Sequence, residues 1–450
     1  MRKIASYLLI TLLSQVTIVA STKAQSQKLT IKAAIDLALA NNRSLRSDSL
    51  EISITESKNR ELAGLYKPQA SYSNNIEFNP AIPSQMLPGK FVGQPDKDYV
   101  PVTFGSSYGF KSGIEVTQTL YRKDLRLQIK AAGLQTTIAK TKYNLSKEEL
   151  IYQVAGTFYT LQNNAEMIRS TYFDYQNLAG VLKIAKAQYE YGVLKRIDYE
   201  SLEISVANKQ SSLDQLQTQY NDQLAYFNYL LGLPASAETV IEDRISEDIH
   251  AVEGGKHLLQ RTDIRLSYQM IESKEEEIKK IRAEKLPVIS SYFRYSYQAQ
   301  FNDAENIFNT DYWFNSSTVG ISMSIPILDG KRRKSRLNTA QIQLEQLKLQ
   351  NKYQQEKAEM EFFSASGTLN NNRKQYQVNQ KNLALAERVF ASRKALYTEG
   401  VTTLVELLDA ETELSQARTL YMQSLINVQT GWLDVHKAKG TLLTDYLKAL

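Results

Sequence analysis

Two hydrophobic rhythms alternate along this chain, and the switches between them mark out its elements. From about Asp124 to Tyr189, and again from Lys331 to Tyr397, the residues are rich in Gln, Lys, Glu, Ala and Leu, with no proline and few glycines. That composition predicts long helices. Apolar positions step by three and four residues, as in Leu337, Ala340, Leu344 and Leu347, then in Leu425, Val428, Trp432 and Val435 of a returning helix. The spacing is that of a coiled-coil stripe. At 1.5 Å per residue, residues 331–397 would span about 100 Å, more than a globular domain requires.

Between the helices the period drops to two. Val319, Ile321, Met323, Ile325 and Ile327 are apolar, while Thr318, Gly320, Ser322 and Ser324 are small or polar, which predicts a strand with two unlike faces. Phe104, Tyr108, Phe110, Ile114 and Val116 form one face against Lys111, Glu115 and Thr117. Looser alternation covers Ala70–Phe78 and Val288–Gln298, each after a proline, Pro68 or Pro287, that ends a helix. The pattern predicts four strands, about 69–80, 103–120, 288–300 and 316–328, each of a length to cross a bilayer as a tilted barrel strand. Ile321, Met323 and Ile325 are expected to face lipid, and Ser322 and Ser324 the lumen. The 27 tyrosines include several in and beside these strands, as interfacial girdles require. Four strands cannot enclose a channel, and open sheet edges cannot face lipid, so further copies must supply the missing strands.

The whole order of features occurs twice. Residues 187–232 align without a gap on 395–440 at an offset of 208, pairing Ala187 with Ala395, Tyr189 with Tyr397, Gly192 with Gly400 and Gly232 with Gly440. Asn42 through Pro68 matches Arg261 through Pro287 at offset 219, and Ser112-Gly113-Ile114 matches Val319-Gly320-Ile321 at 207. The change of offset gives the first copy a longer loop. A unit of this length is a duplicated half-molecule and not a solenoid repeat. The division read from it is a signal peptide over 1–24, a first repeat over 25–240 with its tip near 192, and a second over 241–450 with its tip near 400.

Arg2 and Lys3 precede an apolar run from Ile4 to Ala20, followed by Thr22-Lys23-Ala24 with small residues at the cleavage-determining positions. This is the pattern of a secretory signal peptide. There is no cysteine, hence no disulfide framework and no lipid-attachment residue at that cleavage site. The formal net charge of +6 includes Arg2, Lys3 and Lys23, so the chain after residue 24 carries +3, too little to argue for nucleic acid. Lys331-Arg332-Arg333-Lys334 is the one basic run of note, without an aromatic platform for strand binding. His250, His257 and His436 lack metal-ligand spacing, and there is no phosphate-cradling loop or nucleophile elbow. No catalysis and no cofactor are expected. A secreted coiled-coil structural or adaptor-like protein without a pore stays open as the alternative.

At this point the residues resemble a known family, the TolC-like outer-membrane efflux proteins. The resemblance covers nearly the whole chain after the leader. It includes Leu29 through Asn42, the Lys67-Pro68 and Leu286-Pro287 junctions, the passage Ile325 through Arg333 and, most specifically, Tyr397-Thr398-Glu399-Gly400-Val401-Thr402-Thr403-Leu404-Val405-Glu406-Leu407-Leu408-Asp409-Ala410, which looks like the family's periplasmic hairpin tip. The resemblance implies a homotrimer in the outer membrane that extends into the periplasm, with a twelve-stranded barrel and an α-helical tunnel. It implies a passive duct docked on a periplasmic adaptor and, through it, on an inner-membrane transporter of RND, ABC or MFS class. Glu406 and Asp409 match a ring of lumen carboxylates at the entrance, and Asp198 and Tyr397 match positions that help to hold it shut. Gly192, Val193, Gly400 and Val401 match the tips that meet the adaptor. The family's arginine partner at the entrance is here Thr402, which leaves Arg196 as a candidate substitute.

Overall fold

A computed structural model of the chain describes residues 28–242 and 261–449; the expected leader, His250 and His257 lie outside them. The helices are α1 (Ile31–Asn41), α2 (Arg43–Gly64), α3 (Lys123–Glu190), α4 (Arg196–Leu230), α5 (Thr262–Ala283), α6 (Arg332–Thr398) and α7 (Leu404–Lys439). The strands are β1 (Gln69–Phe78), β2 (Ser84–Pro88), β3 (Tyr99–Thr103), β4 (Tyr108–Arg122), β5 (Val288–Phe301) and β6 (Trp313–Ser324). Helices α3 and α6, of 68 and 67 residues, are the proline-free stretches of the sequence. Among the described residues no helix is long and apolar enough to cross a membrane.

The described chain divides into two units. One holds the sheet together with α2 from Ser44, α5, the first part of α3 as far as Lys147 and the first part of α6 as far as Glu361. Its four-stranded sheet is antiparallel throughout, in the order β1-β4-β5-β6. The register sorts side chains by chemistry. One face carries Ser71, Ser73 and Asn75 of β1, opposite Glu115, Gly113 and Lys111 of β4; these lie opposite Arg294, Ser296 and Gln298 of β5, and Arg294 and Ser296 meet Thr318 and Ser316 of β6. Arg294 reaches Glu115 across this face at 2.8 Å. The other face carries Tyr72, Ile76, Ile114, Phe293, Tyr295, Val319, Ile321 and Met323, all exposed on one protomer.

An alternating sheet with one apolar and one polar face, with both outer edges unpaired, satisfies its backbone in lipid only when closed. Strand β6 stops at Ser324, short of Ile325 and Ile327, because Pro326 has no N–H to give to a ladder. The β1–β4 connection holds a hairpin, β2 paired with β3, that the alternation did not announce. In β4 the register shifts between Thr119 and Tyr121, a bulge at the end where the chain turns into α3. Beneath the sheet, Ile278, Ile281 and Ala340 form a small core with Leu337 and Leu344. Glu276 is buried there, with Oε1 2.8 Å from Lys130 and 2.9 Å from Lys279. The two ammonium groups hold its carboxyl below the usual range against the opposing cost of burial.

The other unit contains α1, the rest of α3, α4, the rest of α6 and α7. Thr30 caps α1 by accepting from the Ala33 N–H, and Leu29 pairs with Ile241 as a parallel bridge. Leu369, Val428 and Val435 pack with Trp432 along the predicted stripe. His436 is buried, edge-on to Trp432, with Nδ1 2.8 Å from the Thr441 hydroxyl.

Candidate functional site at the two helix tips

Both long hairpins turn through the same backbone device. Gly192 and Gly400 stand at φ +75 and +77, the left-handed region that glycine enters at little steric cost. The Gly192 N–H donates to Tyr189 O and Val193 N–H to Gln188 O; the Gly400 N–H donates to Tyr397 O and Val401 N–H to Leu396 O. Each pair is a Schellman closure that satisfies carbonyls at the end of a helix. Nothing lies within 4 Å of a Cβ built on either glycine, so the requirement for glycine here is conformational and not steric. The turns present apolar side chains outward: Tyr191 is 85% and Val193 77% exposed, Val401 69%.

Under the turns α3, α4, α6 and α7 are tied together. Leu178, Val181, Ala185, Leu202, Leu404 and Leu407 enclose the ring of Tyr397, which is only 5% exposed. The Tyr397 hydroxyl donates to Gln188 Oε1 at 3.3 Å. Burial first, and the charge of Asp198 second, push this hydroxyl's pKa above its ordinary value. The structure thus places Tyr397 within the field of Asp198, while the hydroxyl's hydrogen bond goes to Gln188. Lys394 donates to Asn177 at 2.8 Å, and Arg418 meets Asp174 at 2.6 Å in a largely buried pair. Lys209 Nζ lies 2.8 Å from Glu411 Oε1, off-line for a hydrogen bond, and also donates to Ser415 at 3.1 Å.

The acids of the second tip are not alike. Glu406 opens α7 behind the N-cap Thr403, whose hydroxyl accepts from the Glu406 N–H. Its carboxylate accepts from Arg393 Nη1 at 2.5 Å and from the Thr402 hydroxyl. Asp409 is exposed and makes no ion pair among the described residues. Sequence spacing gives no sign of the Arg393–Glu406 pair, since Arg393 precedes Gly400 by seven residues and Glu406 follows it by six, and the two meet only because the chain turns there. Arg196 instead pairs with Glu200 at 2.7 Å, one turn along its own helix. Among the described residues no cluster of His, Cys, Asp or Glu could hold a metal ion.

Alternating strands with open edges, joined to coiled hairpins with matching tips, define a β-barrel channel built from several copies. Residues 255–441 match the family model for outer membrane efflux protein. Across 417 residues the chain is 24% identical to the cation efflux system protein CusC of Escherichia coli K12, covering 91% of this chain and 86% of that one. A crystal structure of CusC superposes with a TM-score of 0.75 at 19% identity, covering 91% of this chain and 92% of that chain. The Campylobacter jejuni CmeC outer membrane channel gives 0.75 at 16%, covering 91% and 85%. The chain thus carries an outer membrane efflux protein match over residues 255–441 and has the fold of the solved outer-membrane channels, strands for a barrel and long helices for a tunnel. CusC is by name a cation efflux system protein, and CmeC an outer membrane channel.

Proposed function

We propose that the protein is the passive exit duct of a tripartite export system, a trimer whose twelve-stranded barrel sits in the outer membrane and whose helical tunnel reaches into the periplasm, and that the two tips form its periplasmic entrance and docking end. On this reading, residues 1–24 are a leader removed on export, the mature chain carries no lipid, and residues 25–240 and 241–450 are the two efflux repeats. Gly192, Val193, Gly400 and Val401 present the turns to a periplasmic adaptor, which links the duct to an RND, ABC or MFS transporter. Glu406 and Asp409 line the entrance, three residues apart on one face of α7. Asp198 and Tyr397 help to hold the entrance closed. The observation that carries the reading is the pair of matched glycine turns with outward apolar residues, since solvated turns select polar side chains and protein-docking turns apolar ones.

The test is single-channel conductance of the trimer in planar bilayers with millimolar divalent cations on the periplasmic side. Because Arg393 already neutralises Glu406 within the protomer, Asp409 is the carboxylate a cation would meet. Block should therefore be lost mostly in Asp409→Asn, with a smaller change in Glu406→Gln. Unchanged block in the doubly neutralised protein would place both carboxylates outside the pore.

A further inference from the structure

The end of the sheet that continues into the helices is strongly basic, and its acids are already spoken for. Three acids lie beside the four junctions. Asp124 is held by Arg122 at 3.2 Å, Asp329 by Arg333 at 3.5 Å, and Glu284 by both terminal nitrogens of Arg336 at 2.8 and 2.9 Å. Lys67, Lys123, Lys285, Lys331, Arg332 and Lys334 have no carboxylate in ion-pair reach among the described residues, and all but Lys123 are well exposed. They come from every junction: the residue before Pro68, the start of α3, the approach to Pro287 and the start of α6. The opposite end of the sheet has the reverse balance. Its connections hold Asp96, Asp98, Asp303, Glu305 and Asp311 against Lys90 and Lys97.

Apolar surface runs directly into the basic end. The stripe of Val319, Ile321 and Met323 continues past the strand into Ile327 and Leu328, which are 94% and 91% exposed. Gly330 and Lys331 follow at φ +60 and +65, two successive left-handed residues that fix the turn by which the chain leaves the sheet. A non-glycine residue there is uncommon, and at this position it is a lysine. An apolar stripe bounded by cations is the arrangement that suits acyl chains bounded by phosphate.

We propose that this belt binds the anionic phospholipid headgroups of the periplasmic leaflet, with Ile327 and Leu328 in the acyl boundary and the free lysines and Arg332 on phosphate. The proposal rests on the reading of the sheet as a barrel in the outer membrane. It assigns the basic run at the start of α6 to lipid and not to a neighbouring subunit or the lumen.

The experiment is native mass spectrometry of the detergent-purified trimer exposed to equimolar phosphatidylglycerol and phosphatidylcholine. The comparison is with a variant carrying Lys67→Gln, Lys285→Gln, Lys331→Gln, Arg332→Gln and Lys334→Gln, and with a Lys331→Arg, Lys334→Arg control. Wild type and control should retain phosphatidylglycerol over phosphatidylcholine by about fivefold or more, an enrichment that high salt weakens. The variant should retain the two equally while remaining trimeric. Enrichment unchanged in the variant overturns the proposal. So does loss of the variant trimer in both lipids, which would make the run a subunit contact, and so does altered single-channel conductance with unaltered enrichment, which would place the charges in the lumen. Preference for lipid A over phosphatidylglycerol would overturn the assignment to the periplasmic leaflet. Failure of the underlying reading is separate: it would appear as no wild-type trimer in outer-membrane extracts.

Discussion

The two hairpin tips share a backbone and differ in almost every side chain that reinforces it. At an offset of 208 the glycines, their positive φ and both closing hydrogen bonds coincide. At the second tip Thr403 caps α7 with its side chain, and Arg393 and Thr402 hold Glu406 across the turn. At the first tip the corresponding residues are Lys195, which makes no side-chain cap, then Ala185, Leu194 and Asp198. The nearby Arg196–Glu200 pair lies along one helix, whereas the rings of Tyr189 and Tyr199 stack across the turn with centroids 5.4 Å apart, an aromatic tie and not a polar one. Duplication thus preserved what the turn needs, a residue tolerant of positive φ. The polar ties diverged, leaving the second tip braced by side-chain hydrogen bonds and the first by main chain, core and one ring stack.

Replacing the glycines tests this difference most severely. A β-branched residue at φ near +75 is strained by about 1–2 kcal/mol or more, with no clash added, since the space around both glycines is open. Gly192→Val and Gly400→Val should each speed amide hydrogen exchange in their own tip by about tenfold or more, 1.4 kcal/mol being a factor of ten. The larger change is expected at Gly192, where no side-chain tie comparable to the Arg393–Glu406 pair spans the turn. Export should fall while trimer in the outer membrane persists. Equal changes in the two variants would show that the bracing of the second tip adds nothing.

Removing the cap comes next in size. Thr403→Ala should cost about 1 kcal/mol of local stability at the start of α7, read as faster exchange of the Glu406 and Leu407 amides. Lys195→Ala, at the matching position, should leave the start of α4 as it is. A smaller effect is expected from Arg393→Ala, because both members of its pair are more than two-fifths exposed and exposed pairs contribute about 0–1 kcal/mol. Its consequence is electrostatic. It frees Glu406, so block by periplasmic divalent cations should rise in Arg393→Ala and return to the wild-type level in Arg393→Lys. Block that ignores the charge at 393 would detach the pair from the entrance.

Most of the fold was legible because its signals are periodic and repeated. The 3–4 stripe of α6 and α7, the alternation of β6 and the prolines at 68 and 287 each act locally, and the duplication let one copy check the other. The β2–β3 hairpin was not legible. It has five residues per strand, with Pro88 and Pro101 inside or at the end of them, and proline demotes a run to non-strand in any single-sequence reading. It survives as a two-stranded ribbon because the N–H groups that proline lacks are not required at an outer edge. The partner of Glu406 was missed for a different reason. The family resemblance leaves Arg196 as the substitute for the arginine replaced by Thr402, and an acid one turn away on its own helix captures it, whereas pairing across a hairpin depends on the register about Gly400, which composition does not carry.

The smallest expected effect concerns the buried tyrosine that the two tips do not share. Tyr397 is enclosed, while its repeat mate Tyr189 is 38% exposed. Burial, then the Asp198 charge, raise the Tyr397 pKa above its ordinary value of 10.0. In the unfolded chain the phenol ionises near that ordinary value, whereas the folded chain keeps its proton to higher pH. Above pH 10 the unfolded state therefore binds fewer protons than the folded one, and stability falls with rising pH. The contribution is fully present below pH 10 and is lost as pH climbs through the raised value. Thermal unfolding of wild type and Tyr397→Phe should differ by a constant amount from pH 7 to about 10, reflecting the hydroxyl's bond to Gln188, and the wild type should then decline more steeply. Tyr152, pushed up to about 12 by burial and then by its bond to Asp434, titrates in both proteins and cancels from the comparison. Parallel alkaline limbs would show that Tyr397 is reached by water in the assembled trimer, and the second tip would then be as open as the first.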